Sequence, residues 1–364
     1  MLVPFLDLRR AHREIETEIQ AAIDRVLDRG VYILGNEVEA FEKEWAVFCG
    51  ATGAAGVASG TDALSLALIA SGAVRPGYGD EVIIPPLTAA YTALAILNAG
   101  GVPVFADIDP HNYTLDPEAV KASITPRTRA IVPVHLYGAV ADVAEIIDIA
   151  ISKELVVIED AAQAHGARAG VHGRAAAFSF YPTKNLGAYG DGGAVVSNDP
   201  ALIERVKMLR QGGNTAAIQD QIAGRNSRLD EMQAAILRVG LGRLEEWNSR
   251  RRALAEFYDE ALRDTRLTLP QSCEHTAHVN HLYVVRHPER DRLRAHLAQH
   301  GIETLIHYPY LLSEQPLFDH GGQRNFPVAQ SVVKSIFSLP LYPQLSSEEA
   351  SAVVDAILEF ERSG

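Results

Sequence analysis

Cysteine is nearly absent: Cys49 and Cys273 are the only two in 364 residues, they lie far apart, and neither belongs to a Cys-x-x-Cys pair. That excludes a disulfide framework, a zinc knuckle and an iron–sulfur cluster, and it fits a reducing cytoplasm. Basic charge is also short, with 33 Lys and Arg against 46 Asp and Glu and a formal net charge of −13. No nucleic-acid-binding stripe is expected, although local arginines can still hold an anionic ligand. No uncharged apolar run is long enough to span a bilayer, and Met1-Leu-Val-Pro-Phe-Leu-Asp7 lacks the basic and apolar regions of a secretory leader. The expectation is a soluble protein with no membrane partner. Internal repeats and low-complexity linkers are missing as well.

What is present is a βαβ rhythm. Ile15, Ile19, Ile23, Val26 and Leu27 share one helical face that Gly30 ends, and Val38, Phe41, Trp45 and Phe48 make a second stripe ending at Gly50. Short β-like runs then alternate with helical stretches: Ala55–Ala58, Glu81–Ile84, Pro103–Ala106, Arg129–Val134 and Leu155–Glu159. This predicts an α/β protein with a mostly parallel, doubly wound sheet covered on both faces. Further on, one long helix is expected from about Arg228 to Arg263. A strand at His281–Arg286, a helix from Pro288 to His300, a β-like run at Ile302–Ile306 and a final helix near Ser347–Phe360 predict a smaller C-terminal α+β domain. The expected division is a large domain over 1–245 and a small one over 246–364.

Three stretches carry chemistry. Lys184 sits on a tight connection between the buried-strand patterns Ala176–Phe180 and Gly193–Ser197. Desolvation there would lower its pKa and make it a Schiff-base nucleophile, with a solvated loop lysine as the competing reading. Ser59-Gly60-Thr61-Asp62 follows a strand and opens a helix, so its free N–H groups can receive a phosphate, or the turn can serve as a plain helix cap. Asp160 lies just past a buried strand at the carboxyl edge where α/β sheets bind ligands, and a protonated pyridine nitrogen would satisfy it; capping the next helix is the alternative. Gln163 can hydrogen-bond a phenolic oxygen, and His165 is either a ring-stacking group or a satisfied structural histidine.

Other features read as structural. His275-Thr-Ala-His278-Val-Asn-His281 lacks a carboxylate or cysteine to complete a metal site and is taken as a polar interdomain segment. Asp107-Ile-Asp109 before Pro110 reads as a turn, and Arg250-Arg-Arg252 as a solvated helix face. No metal is expected.

In combination, a Gly-Thr helix opening, a strand-end Asp and a loop Lys supply what pyridoxal phosphate requires: a phosphate cup, a ring-nitrogen partner and an amine. From Pro4-Phe-Leu-Asp-Leu8 to Ser338-Leu-Pro-Leu-Tyr342 the chain also resembles the DegT/DnrJ/EryC1/StrS sugar aminotransferases of fold type I. The resemblance rests on Ser59–Leu64, Val134-His-Leu-Tyr-Gly138, Glu159–Gly166, Phe178-Ser-Phe-Tyr-Pro-Thr-Lys-Asn185, Asn226-Ser-Arg-Leu-Asp-Glu231 and Ile306-His-Tyr-Pro309. It implies that Lys184 carries the cofactor and shuttles a proton, that Asp160 pairs with the pyridine nitrogen and that Gln163 contacts the ring oxygen. Gly60, Thr61 and Ser179 would bind the phosphate, and Asn226 would reach the cofactor of a neighbouring subunit, making a homodimer with shared sites.

Many relatives carry an aromatic ring-stacking residue where this chain has Ala89, so Tyr91, or His165 from the other face, is the expected substitute. Tyr181, His307 and Tyr308, with Asn280 and His281, are expected to line the substrate pocket. The implied reaction moves an amino group, with glutamate as donor and pyridoxamine phosphate as the aminated cofactor form, to a nucleotide-linked keto-deoxysugar, a 3-keto-6-deoxyhexose ahead of a 4-keto one. Two alternatives stand beside it: a keto-sugar dehydratase, in which histidine replaces the lysine, and a non-catalytic sensor or regulatory protein on the same fold.

Overall fold

The computed structural model describes residues 1–167, 171–213, 224–271, 278–318 and 325–363; Cys273 and His275 lie outside them. Helices α1 (Leu8–Glu14), α2 (Glu16–Arg29) and α3 (Asn36–Cys49) come first. The expected stops hold, since Gly30 and Gly50 cap α2 and α3 in the left-handed conformation at φ 66° and 69°. Then β1 (Gly53–Val57), α4 (Gly60–Ala70), β2 (Glu81–Ile84), α5 (Ala90–Ala99), β3 (Val102–Phe105), α6 (Pro117–Ser123), β4 (Thr128–Ile131), α7 (Val143–Ser152) and β5 (Val156–Asp160) alternate. Strands β6 (Ala175–Ser179) and β7 (Gly193–Ser197) follow, with helices α8 (Pro200–Leu209), α9 (Glu231–Leu241) and α10 (Leu244–Leu262). The chain ends with β8 (Tyr283–Arg286), α11 (Arg290–Gln299), α12 (Pro327–Val333), β9 (Ile336–Leu339) and α13 (Ser347–Ser363).

Seven strands form one sheet in the order β1-β7-β6-β5-β4-β2-β3, in which only β7 runs against its neighbours. Strand alternation sends Ala55, Val57, Ala175 and Ala177 into a core built with α4, α5 and α8. Ala54, Ala176 and Phe178 point the other way, into a core shared with α3 and α9. Both faces are covered, which is why the strands read as continuous apolar runs. A second, antiparallel pair, β8 with β9, turns Tyr283, Val285, Phe337 and Leu339 toward α10, α11 and α13. Its other face, with Val284 and Ile336, packs on the first core.

Two expected elements differ. The long helix breaks at Gly242-Arg243 into α9 and α10, because Gly240 and Gly242 weaken the helix there and Arg243 closes back onto the Gly240 carbonyl in a tighter turn. Ile302–Ile306 forms no strand: it divides its backbone bonds between Val3 at one end and Ser338 at the other, leaving isolated bridges. Strand β9 was not among the expected runs.

Candidate active site

Strand register places the chemistry-bearing residues along one edge of the large sheet. Gly193 at the start of β7 pairs with both Val57 at the end of β1 and Ser179 at the end of β6, and Asp160 ends the adjacent β5. Gly193 must be glycine for this approach, since a Cβ there would lie 2.4 Å from the Ser59 carbonyl carbon. Gly60 is pressed just as closely on Ser179, where a Cβ would lie 2.5 Å from the Ser179 Cβ.

Ser59 caps α4 by accepting from the Asp62 N–H at 3.1 Å, and the first backbone bond of the helix is Ala63 N–H to the Ser59 carbonyl. The N–H groups of Gly60 and Thr61 therefore precede the first helical bond, at the positive end of the helix dipole. The Ser179 hydroxyl stands beside them and accepts from the Tyr181 N–H at 3.3 Å. Together these groups make an anion cup.

Lys184 occupies the β6–β7 connection. Its N–H donates to the Tyr181 carbonyl at 2.8 Å, and the Phe180 N–H to the Gly192 carbonyl at 2.8 Å, which holds the turn tight. Burial pulls the ammonium down to about 8, partly countered by the Asp160 carboxylate. Asp160 is 8 % exposed. Its Oδ2 accepts from the Thr92 hydroxyl at 2.8 Å and its Oδ1 from the Ala162 N–H at 3.2 Å. Among the described residues no basic side chain forms an ion pair with it. A buried carboxylate held only by neutral donors is poised for a cationic ligand.

Gln163 lies next to this pair with its amide already engaged: Oε1 accepts from the Tyr137 N–H at 2.7 Å and Nε2 donates to the Tyr308 hydroxyl at 3.0 Å. Burial pushes the Tyr308 hydroxyl up to about 12, with Asp160 adding in the same direction against the Gln163 bond. His307 is drawn down to about 4 by burial and by Lys184, and its Nδ1 meets the Ser338 hydroxyl at 2.9 Å. His281 is held well below the usual range by burial first and then by Lys184.

His165 is fully buried and lowered to about 3, chiefly by burial and then by Lys184. Its Nε2–H donates to the Ser179 carbonyl at 2.8 Å, its Nδ1 has no partner, and its ring packs on Trp45, Phe178 and Phe180. Lys184, Asp160, Gln163, His165, His281, His307 and Tyr308 are thus brought together by bonds or by mutual electrostatic influence.

Of the remaining expected residues, Tyr181 meets that group through its backbone carbonyl, which accepts from the Lys184 N–H. Tyr91 is 66 % exposed in the first turn of α5, after Ala89 at its cap. Tyr181 is half exposed on the lysine loop, Asn280 is half buried, and Asn226 is exposed and bridges Gln211. Asp107 and Asp109 accept backbone N–H groups from Val328 and Ala329 and from His111 and Asn112, as turn and cap residues do.

A buried polar strut behind the lysine was not anticipated. The Asn185 side-chain oxygen meets His281 Nδ1 at 3.0 Å, and its Nδ2 donates to Asn248 Oδ1 at 2.8 Å. The Asn248 Nδ2 donates in turn to the His165 carbonyl at 2.8 Å. Arg251, expected on a solvated face, is instead buried at 5 % exposure. Its Nη1 donates to the carbonyls of Asn280, His281 and Leu341, and burial lowers it to about 9. Flanking Arg250 and Arg252 are only partly exposed and pair with glutamates.

A cup of N–H groups against Ser179, a buried carboxylate awaiting a cation and a desolvated amine fit pyridoxal phosphate. The DegT/DnrJ/EryC1/StrS aminotransferase family model matches residues 13–358. A Streptomyces venezuelae protein, dTDP-3-amino-3,4,6-trideoxy-alpha-D-glucose transaminase, is 47% identical over 98% of this chain and 96% of its own length. An Aneurinibacillus thermoaerophilus protein, dTDP-3-amino-3,6-dideoxy-alpha-D-galactopyranose transaminase, is 45% identical over 98% of this chain and 99% of its own. The crystal structure of S. venezuelae DesV in complex with a ketimine intermediate superposes with a TM-score of 0.94 at 47% identity, covering 99% of this chain and 98% of that one. With the family model matched over nearly the whole chain and relatives of 45–47% identity covered almost end to end, this chain belongs to the DegT/DnrJ/EryC1/StrS aminotransferase family.

Proposed function

We propose that this pyridoxal-phosphate-dependent aminotransferase moves an amino group from glutamate to C3 of a nucleotide-linked 3-keto-6-deoxyhexose. The observation that carries the reading is the desolvated Lys184 amine near a buried Asp160 that, among the described residues, forms no ion pair. The position of the new amine is supported by the two relatives above, whose names both place it at C3.

When bound, the cofactor supplies an electron sink for a carbanion. Lys184 Nζ takes the proton from the donor's α-carbon and, in the second half of the exchange, delivers one to the sugar carbon that gains nitrogen. Asp160, fixed by Thr92 and the Ala162 N–H, keeps the pyridine nitrogen protonated. Gly60, Thr61 and Ser179 hold the phosphate, and Gln163 orients the phenolic edge. Asn226, on the exposed surface, reaches into the site of a second copy, so that the working unit is a homodimer. Tyr181, His307, Tyr308, Asn280 and His281 line the sugar side, and Tyr91 or His165 contacts the ring where Ala89 cannot. A dehydratase of this family would carry histidine at the lysine position, and Lys184 stands against that reading.

The test is a pair of half-reactions followed by absorbance. Glutamate should bleach the visible band of the loaded enzyme. A panel of nucleotide-linked 3-keto and 4-keto sugars should then restore it, with the 3-keto members fastest. Restoration by 4-keto sugars alone would refute the regiochemistry, and a protein that glutamate never bleaches would refute the donor.

A further inference from the structure

Far from the sheet edge, the end of α11 presents a second cluster of ligating groups. His296 and His300 are one helical turn apart, so their rings lie on the same face, with centroids 4.3 Å apart. Helix α13 packs against α11 and brings Glu359 to them. One nitrogen from each ring and one Glu359 carboxylate oxygen all lie within 4.8 Å of one another.

Backbone carbonyls settle the tautomers. His296 Nε2–H donates to the Ala356 carbonyl at 3.0 Å and His300 Nδ1–H to the His296 carbonyl at 2.9 Å. Each ring therefore keeps one nitrogen with a lone pair, and that of His300 stands 3.4 Å from Glu359 Oε2. A metal-binding histidine characteristically has its other nitrogen tied to a carbonyl or carboxylate in this way, which orients the ring. The His296 ring is further fixed against Phe360, with centroids 5.5 Å apart.

We infer that His296, His300 and Glu359 bind a divalent transition metal of the zinc class, clamping α11 to α13. Two imidazoles and a carboxylate suit zinc, nickel or copper and leave the remaining coordination positions to water. Tetrahedral zinc with bonds of about 2.0–2.1 Å sets its donors roughly 3.3 Å apart. The widest pair must close by about 1.5 Å, which the exposed Glu359 and His300 side chains can supply by rotation. A simple His300–Glu359 ion pair accounts for two of the three groups, and the Ala356 carbonyl and the Phe360 ring hold the third, His296, beside them. The clamp joins two helices of the core beneath β8 and β9, so binding raises the stability of the folded chain by linkage.

The test uses the full-length, cofactor-loaded protein without an affinity tag, freed of metal by a chelator and titrated calorimetrically with zinc chloride. Wild type is expected to bind at a single site and to melt at a higher temperature with zinc. His300→Ala and Glu359→Gln change exposed groups and should fold and transaminate normally. Both should bind zinc at least about tenfold more weakly and lose the melting shift. Absence of zinc binding to wild type, or equal affinity in wild type and both variants, overturns the inference.

Discussion

At Lys184 two influences oppose each other. Burial favours the neutral amine, the Asp160 carboxylate favours the ammonium, and burial prevails to leave the group near 8. An ordinary lysine near about 10.4 would be almost wholly protonated at neutral pH and a poor nucleophile. The neighbouring histidines do not blur this titration, because His165, His281 and His307 are all held below the usual imidazole range and stay neutral. Cofactor-free protein mixed with pyridoxal phosphate should therefore gain its visible band at a rate that climbs about tenfold per pH unit below 8 and levels off above it. Asp160→Asn removes the attraction that holds the proton and should move the inflection to lower pH. Stopped-flow absorbance across pH decides it: an inflection at the ordinary lysine value, or one that Asp160→Asn raises, would contradict the assignment.

Helix α10 shows how an element carries the site without touching a reacting atom. Its buried positions, Leu244, Trp247, Asn248, Arg251, Ala255, Tyr258 and Leu262, form one stripe of helical period, so Asn248 and Arg251 stand where the stripe calls for apolar side chains. Both are bonded by groups distant in sequence: Asn185 and the His165 carbonyl for Asn248, and the carbonyls of Asn280, His281 and Leu341 for Arg251 Nη1, while Arg251 Nε is buried without a partner. Asn248→Ala should strand the His165 carbonyl in the interior and cost about 1–3 kcal/mol, read as a lower urea midpoint with an unchanged slope. A loss below about 0.5 kcal/mol would mean the strut is not tensioned as the distances suggest.

The same helix marks where sequence reading reached its limit. Alternating strands, glycine stops and the Gly60, Asp160 and Lys184 positions were legible because each is a local pattern of period or turn chemistry. Arg251 was misassigned because its triplet was read by charge when the helical period would have placed it inside. The Ile302–Ile306 run was misassigned because its pairing depends on Val3 and Ser338, which no local window contains.

For the whole molecule, the question is whether one chain holds a complete site. Asn226 leads into Ser227 and Leu229, and the start of α9 that follows is ringed by apolar groups left bare. Tyr32 bonds Glu231 through its carbonyl, Ile33 bridges Asp230 and Tyr189 bonds Gln233, yet these three side chains are 52 %, 41 % and 47 % exposed. Exposed apolar groups of this kind would be covered if a second copy docked there. If Asn226 serves the partner's cofactor, lesions at Lys184 and Asn226 fall in different sites of a mixed dimer. Lys184→Arg and Asn226→Ala proteins, each purified alone, should be a folded dimer with, respectively, no turnover and weakened cofactor binding. Co-expressed, half of the dimers are hybrids; in each hybrid one site carries both lesions and the other carries neither. Random pairing then restores about one quarter of the wild-type sites. Sites confined to single chains would give no such recovery, because each chain would keep its own defect. Turnover of the co-expressed mixture, compared with the same two proteins mixed after purification, separates the two arrangements.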